Sequence, residues 1–195
     1  MLADLLAHDG VEEECVLAGR FGIMAFHGGN LEKGTDHIAA AAAGAAGASL
    51  YVVRQPPGLT WHVPSVEFRP EGSPALARFL GHVESVVAVH GYGRPEMWTT
   101  VLVGGANRDL ARELGGHLRS TLGGHGFTVV DELDDIPKAL RGVHPRNPVN
   151  LPVGGGVQLE LPPRVRRGTG VPTHDPAYEA AVVDALTALG ARFPT

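Results

Sequence analysis

The sequence predicts an α/β sandwich, with helices packed on a mostly parallel or mixed sheet. Three observations carry this expectation. Short apolar runs of strand character recur along the chain, and segments of helical period lie between several of them. The 27 glycines and 15 prolines fall between the runs, as turns, rather than in one biased tract. With 195 residues and no repeat, linker or composition break, the chain is expected to form one domain, residues 1–195.

The elements follow in chain order. Strands are expected at residues 22–26, 50–53, 85–89, 99–103, 128–130 and 157–161, each an apolar run bounded by turn residues. Residues 38–46 are rich in good helix formers. In 107–122, Leu110, Leu114, Leu118 and Leu122 recur every four residues and form one stripe for burial. A last helix is expected over 176–189, with Asp175 as its N-cap and Gly190 near its end. Residues 54–74, with five prolines, and 142–156 read as long ordered loops, the kind that carry function in compact domains.

Composition excludes several classes. No apolar stretch approaches the ~18–20 residues that span a bilayer, and the first ten residues lack the basic and apolar regions of a secretory signal. The expectation is a cytoplasmic protein without membrane partners. One cysteine, Cys15, rules out an internal disulfide and a thiolate metal site; it is expected in the core at the edge of the first strand. The formal net charge of −5 argues against nucleic acid, but the charge is uneven. Residues 141–167 hold five arginines (141, 146, 164, 166, 167) and one acid, Glu160, so this segment is +4 and the rest −9. Such a segment is either a solvated basic face or a local receptor for anionic groups.

Three residues share one context. His27 follows Gly-Ile-Met-Ala-Phe, His90 follows Ser-Val-Val-Ala-Val, and Glu160 lies near the end of Val-Gln-Leu-Glu-Leu. If these runs are parallel neighbours, all three gather at the carboxyl edge of the sheet, where open α/β folds place ligands. Each histidine is followed at once by glycine, which lets backbone crowd a ligand. In His27-Gly-Gly-Asn-Leu-Glu32, a Gly-rich turn can bring imidazole and carboxylate to one ion, with Thr35 or Asp36 capping the next helix. The same segment also reads as a plain turn with Glu32 solvated beside Lys33; it lacks the spacings of nucleotide-binding loops. Two imidazoles and a carboxylate, with a fourth position for water, are the arrangement of a catalytic zinc site. Glu160, a lone acid in an apolar strand, suits a base that does not ligate the metal, or else pairs with Arg164 or Arg166.

In order along nearly the whole chain, these motifs resemble the poly-γ-glutamate hydrolase family, some members of which are described as phage-related replication proteins. The matching blocks are His27-Gly-Gly…Glu32-x-Gly-Thr, Leu59-Thr-Trp-His62-Val-Pro-Ser65, Val89-His90-Gly-Tyr, Gly104-Gly-Ala-Asn107, His144-Pro-Arg-Asn147-Pro-Val-Asn150 and Gly155-Gly-Val-Gln-Leu-Glu160-Leu-Pro-Pro-Arg164. The resemblance implies a three-layer α/β/α sandwich of zinc-carboxypeptidase type. It implies one Zn2+ held by His27, Glu32 and His90, with Glu160 as general acid/base in promoted-water attack on a γ-glutamyl amide. The partner implied is an anionic glutamyl polymer or oligomer, with no oligomeric state fixed and a monomer favoured. For substrate binding the candidates are Arg108, Arg146, Asn147 and Arg164, one of the arginines also serving the tetrahedral oxyanion. Asn147 and Asn150 equally fit turns around Pro148. His62 and Ser65 are expected to orient a metal ligand. Two other functions stay open: deacylation of a small N-acyl amino acid, and a non-catalytic phage-related binding role.

Overall fold

The computed structural model describes residues 1–166 and 175–193. Seven strands form one mixed sheet: β1 (Glu12–Val16), β2 (Phe21–Gly29), β3 (Ser49–Gln55), β4 (Ser85–Gly91), β5 (Thr100–Val103), β6 (Thr128–Val130) and β7 (Gly156–Leu161), in the order β1-β3-β2-β4-β7-β5-β6. β3, β2, β4 and β7 run parallel, and β1 on β3 and β5 on β7 supply the antiparallel pairs. The sheet is therefore mixed, and the strands carrying His27, His90 and Glu160 are consecutive neighbours in it.

Side-chain alternation along these strands builds two cores. Ile23, Ala25, Val87, Val89, Val157, Leu159 and Leu161 face the helices α2 (Thr35–Ala46), α4 (Arg108–Leu122) and α5 (Pro176–Gly190). Met24, Phe26, Val86 and Ala88 face the opposite layer of α1 (Leu2–Leu6), α3 (Pro74–His82) and part of residues 56–73. The result is a three-layer α/β/α sandwich. The four leucines of α4 are all buried, and its entry is capped by Asn107, whose side chain accepts from the Leu110 N–H at 3.0 Å. Asp175 caps α5 in the same way through the Ala177 N–H. No helix among the described residues is long and apolar enough to cross a membrane.

Four local expectations are corrected. β1 precedes the expected first strand, and half-buried Cys15 sits on this edge strand rather than in the core. Three consecutive glutamates hide β1, yet the fold accommodates them: Tyr51 and Ser73 hydroxyls donate to Glu13, Arg54 pairs with Glu14 at 2.7 Å, and Glu12 is exposed. α3 lies just beyond the proline-rich loop. Ser73 caps it by accepting from the Ala75 and Leu76 N–H groups, Pro74 opens it, and Leu76, Phe79 and Leu80 bury one face. Neither Thr35 nor Asp36 caps α2: the N-cap is Gly34 at φ 90°, Thr35 Oγ1 donates to the Glu32 carbonyl, and Asp36 accepts from Gly29 N–H and pairs with Arg54. Arg167 and His174 lie outside the described residues.

Candidate metal centre

Strict alternation sends His27 to the same side as Ala25, into the helical core. A one-residue irregularity prevents this. β2 pairs Ala25 with Val52 and Gly28 with Arg54, three steps against two, so one residue bulges. Phe26 and His27 consequently share a side, with both rings against Phe68 at 4.6 and 5.4 Å between centroids. Gly29, at φ 68°, then lets the chain turn hard against the Gln55 backbone, where any Cβ would collide. The turn closes with the Glu32 N–H donating to the His27 carbonyl at 2.9 Å, which returns the Glu32 side chain to the imidazole.

His90 and Glu160 are placed by register alone. They are directly paired residues of parallel β4 and β7, so their side chains leave the same face of the sheet, beyond Ala88 and Gln158. Both are buried, at 3% and 4% exposure. Glu32 reaches between the histidines: Oε1 lies 3.0 Å from His27 Nδ1, and Oε2 lies 3.2 Å from His90 Nδ1 while accepting from Gly91 N–H at 2.9 Å. One donor atom from each of His27, Glu32 and His90 falls within 4.8 Å of the others.

Hydrogen-bond chemistry tests whether a cation fits. His27 Nε2 lies 2.8 Å from the Val63 carbonyl, which can only accept, so Nε2 carries the proton. In a neutral ring Nδ1 is then a lone pair aimed at a carboxylate oxygen, an arrangement that needs a proton or a cation between them. His90 is held through Nδ1, its Nε2 being buried without a hydrogen-bond partner and its ring edge-on to Phe26. Burial opposes ionisation of Glu32, but the imidazoles of His90 and His27 outweigh it and hold the carboxyl well below the usual range. The donor set is two nitrogens and a carboxylate, apt for a divalent transition ion.

Glu160 is the opposite case. Burial is the largest influence and pushes its carboxyl up to about 7, with Glu32 adding to the rise and His90, Gln158 and Arg166 opposing it. Its hydrogen bond comes from Gln158 Nε2 to Oε1 at 2.8 Å, not from an arginine. Asn147 fixes the direction of this bond. Its Oδ1 accepts from Val149 N–H at 3.2 Å, so its Nδ2 must donate, to Gln158 Oε1 at 2.7 Å, leaving Gln158 Nε2 for Glu160. Oε2 of Glu160 is left for a proton. Gln158 was missed in the sequence because an amide in an apolar strand carries no motif; its register beside Ala88, one pair before His90 and Glu160, was the available signal.

These groups open into a cavity of about 700 Å3, walled outside the sheet by residues of the 62–66 and 138–147 segments. Asn147, His62, Ser65 and His144 line it. The Val63 carbonyl, rather than His62 or Ser65, fixes the tautomer of His27. The basic segment does not supply its arginines to the cavity, which no described arginine lines. Arg108 donates to the Val103, Gly105 and Asp131 carbonyls, and Arg164 lies over the Phe127 and Tyr178 rings near 5.4 and 5.3 Å. Arg141 is taken by the Ile136 and Asp134 carbonyls, and Arg146 is exposed beside the opening. Arg166 is buried behind the centre, donating to the Leu161, Lys33 and Tyr92 carbonyls at 3.1 Å each. Its guanidinium fills the space a Cβ on Gly91 would need.

Comparison with known proteins places this geometry in context. The family model described as poly-gamma-glutamate hydrolase matches residues 8–169. An SPbeta prophage-derived UPF0714 protein, YoqZ, of Bacillus subtilis (strain 168) is 30% identical over 147 residues, covering 74% of this chain and 50% of that protein. The chain thus spans half the length of that curated relative. Among solved structures, a bacteriophage poly-gamma-glutamate hydrolase superposes with a TM-score of 0.69 at 24% identity, over 90% of this chain and 87% of that one. A zinc-free apo structure of YNDL does so with 0.67 at 24% identity, over 89% and 86%. Both share this fold.

Proposed function

The chain belongs to the poly-γ-glutamate hydrolase family, and from that premise we propose that it hydrolyses γ-glutamyl amide bonds at one zinc ion held by His27, Glu32 and His90. The observation that carries the reading is the convergence of two imidazole Nδ1 atoms, at 3.0 and 3.2 Å, on the two oxygens of one largely buried carboxylate. A relative of the same fold has a structure designated zinc-free, which supports zinc as the ion to test. Held by these three residues, a divalent ion would supply a lowered water pKa, to about 7, and polarisation of the substrate carbonyl.

The chain's own residues do the rest. Glu160 moves the proton. With its carboxyl raised by burial, it is suited to accept a proton from the attacking water and return it to the leaving amine. Gln158 holds Oε1 in both states, so the proton resides on Oε2 and the carboxyl does not rotate between the two halves of the reaction. The Val63 carbonyl keeps His27 in the tautomer that offers Nδ1. The cavity is of a size for one or two residues of a chain-like substrate, whose remaining length lies over the opening.

The test joins metal analysis to a depolymerisation assay on poly-γ-glutamate. Wild type is expected to carry one equivalent of zinc and shorten the polymer. His90→Ala loses both properties. Glu160→Gln keeps the metal and loses at least about a hundredfold in kcat. Wild type without metal and without cleavage removes the reading, and loss of metal from Glu160→Gln makes that residue a ligand instead.

A further inference from the structure

Among the described residues, one lysine or arginine lines the cavity, and it lies outside the arginine-rich residues the charge count singled out. Of all lysines and arginines in the described residues, Lys138 alone lines the cavity that contains His27, Glu32, His90 and Glu160. It is exposed, and its ammonium makes no hydrogen bond or ion pair with any other described residue. Most arginines, by contrast, are engaged with carboxylates or carbonyls: Arg20 with Glu84, Arg54 with Glu14 and Asp36, Arg119 with Asp131.

The backbone that presents Lys138 is fixed even though its head is free. Lys138–Leu140 is a 3-10 turn closed by Leu140 N–H on the Pro137 carbonyl at 2.8 Å. Beyond it, the Arg141 carbonyl accepts from Gly105 N–H at 2.7 Å, and the Arg141 guanidinium returns to the Ile136 carbonyl at 2.9 Å. Gly142, at φ 64°, seats the segment on Gln158, the residue that holds Glu160. A flexible four-carbon stem on a fixed turn at the cavity wall can bring a point charge to a substrate carboxylate and tolerates small changes in its position.

We infer that Lys138 is the residue that recognises a free carboxylate of the substrate next to the amide being cleaved. The inference rests on the hydrolase reading above and adds what selects an anionic substrate. Two carboxylates, Glu32 and Glu160, face the same cavity in a protein of net charge −5, and the ion of the proposed centre is committed to Glu32 and the scissile carbonyl, so a free carboxylate beside that amide needs a second cation. Lys138 is that cation.

The chain has only two lysines, Lys33 and Lys138, and Lys33 lies outside this cavity, lining two depressions on the far side of Leu31. Amine modification read by mass spectrometry therefore reports on Lys138 with an internal reference. In zinc-loaded Glu160→Gln protein, a γ-linked glutamate oligomer is expected to slow modification of Lys138 more than that of Lys33. In kinetics, Lys138→Ala should raise KM for the oligomer tenfold or more at nearly unchanged kcat. It should leave KM for the same oligomer with its α-carboxyls amidated unchanged, and Lys138→Arg should recover most of the loss. The wild-type KM for the acidic oligomer should rise with salt, and that of Lys138→Ala should not. No preferential shielding, or equal KM effects on both substrates, overturns the inference while the hydrolase reading stands. A wild type that cleaves neither substrate while the oligomer still shields Lys138 removes the hydrolase reading and leaves the carboxylate site.

Discussion

Replacing Glu160 with Gln removes a charge from a place where the fold resists it, so the variant should be more stable than wild type wherever that charge would exist. The carboxyl is 4% exposed, receives one hydrogen bond from Gln158, and is pushed up to about 7 chiefly by burial. In the unfolded chain it titrates near about 4.3. A carboxyl raised in the folded state contributes fully below its unfolded pKa, and that contribution is lost as pH rises through the folded value. At about 1.36 kcal/mol per pKa unit, the loss between pH 4 and pH 8 is on the order of 3 kcal/mol. Gln keeps the shape and still accepts from Gln158 Nε2, so it escapes the loss. Urea unfolding of chelator-treated wild type and Glu160→Gln should give similar stabilities at pH 4 and a variant more stable by about 3 kcal/mol at pH 8. A difference that stays flat across this range refutes the argument, because it means the Glu160 carboxylate is no more costly in the fold than in water.

Other perturbations separate the parts of the site. Gln158→Ala strips Glu160 of the hydrogen bond that favours its charged form, so the acidic limb of kcat/KM should move to higher pH while metal content stays at one equivalent; a pH–rate profile with metal analysis checks both. Gly91→Ala forces the Arg166 guanidinium out of its place and disturbs the N–H that binds Glu32, which should weaken zinc affinity about tenfold or more in competition with a chelator. Ser73→Ala removes the cap of α3 and the hydroxyl bound to Glu13, far from the metal centre; urea unfolding should show a loss of about 1–2 kcal/mol with kcat and zinc content unchanged.

What was legible in the sequence depended on whether a local rule had a competitor. α4 read cleanly because its leucines recur every four residues, and α5 read cleanly from Asp175 and Pro176. β1 was hidden because three glutamates oppose strand propensity, and only partners distant in sequence (Tyr51, Ser73 and Arg54) make them tolerable. α3 carried its own start signal in Ser73-Pro74 and was overlooked because a proline-rich stretch runs straight into it. At the candidate metal centre, His90 and Glu160 need only regular parallel pairing, which the sequence left as a condition and the strand register meets. His27 needs a bulge. Period-two reasoning points it into the wrong core, and no residue type between Ala25 and Gly28 announces the extra step.

The charge pattern misled for a related reason. Counting arginines along the chain measures where cations are encoded, not which survive folding as free charges. Guanidinium groups have five donors suited to gathering carbonyls, and here they do so at strand and loop ends: Arg108 at the exit of β5, Arg141 on the segment after β6, Arg166 across the ends of β4 and β7. Arg166 ties the carboxyl ends of β4 and β7 beside the candidate metal centre, while Arg108 and Arg141 hold the segments that follow β5 and β6. The basic segment therefore lines the cavity with its other residues, and no described arginine of it does so. Lysine makes such ties poorly, having a single strongly hydrated head, and the lysine that reaches the cavity is left unpaired there. In a chain with fourteen arginines and two lysines, the scarcer residue is the more informative about substrate, since its charge has not been assigned to holding the fold.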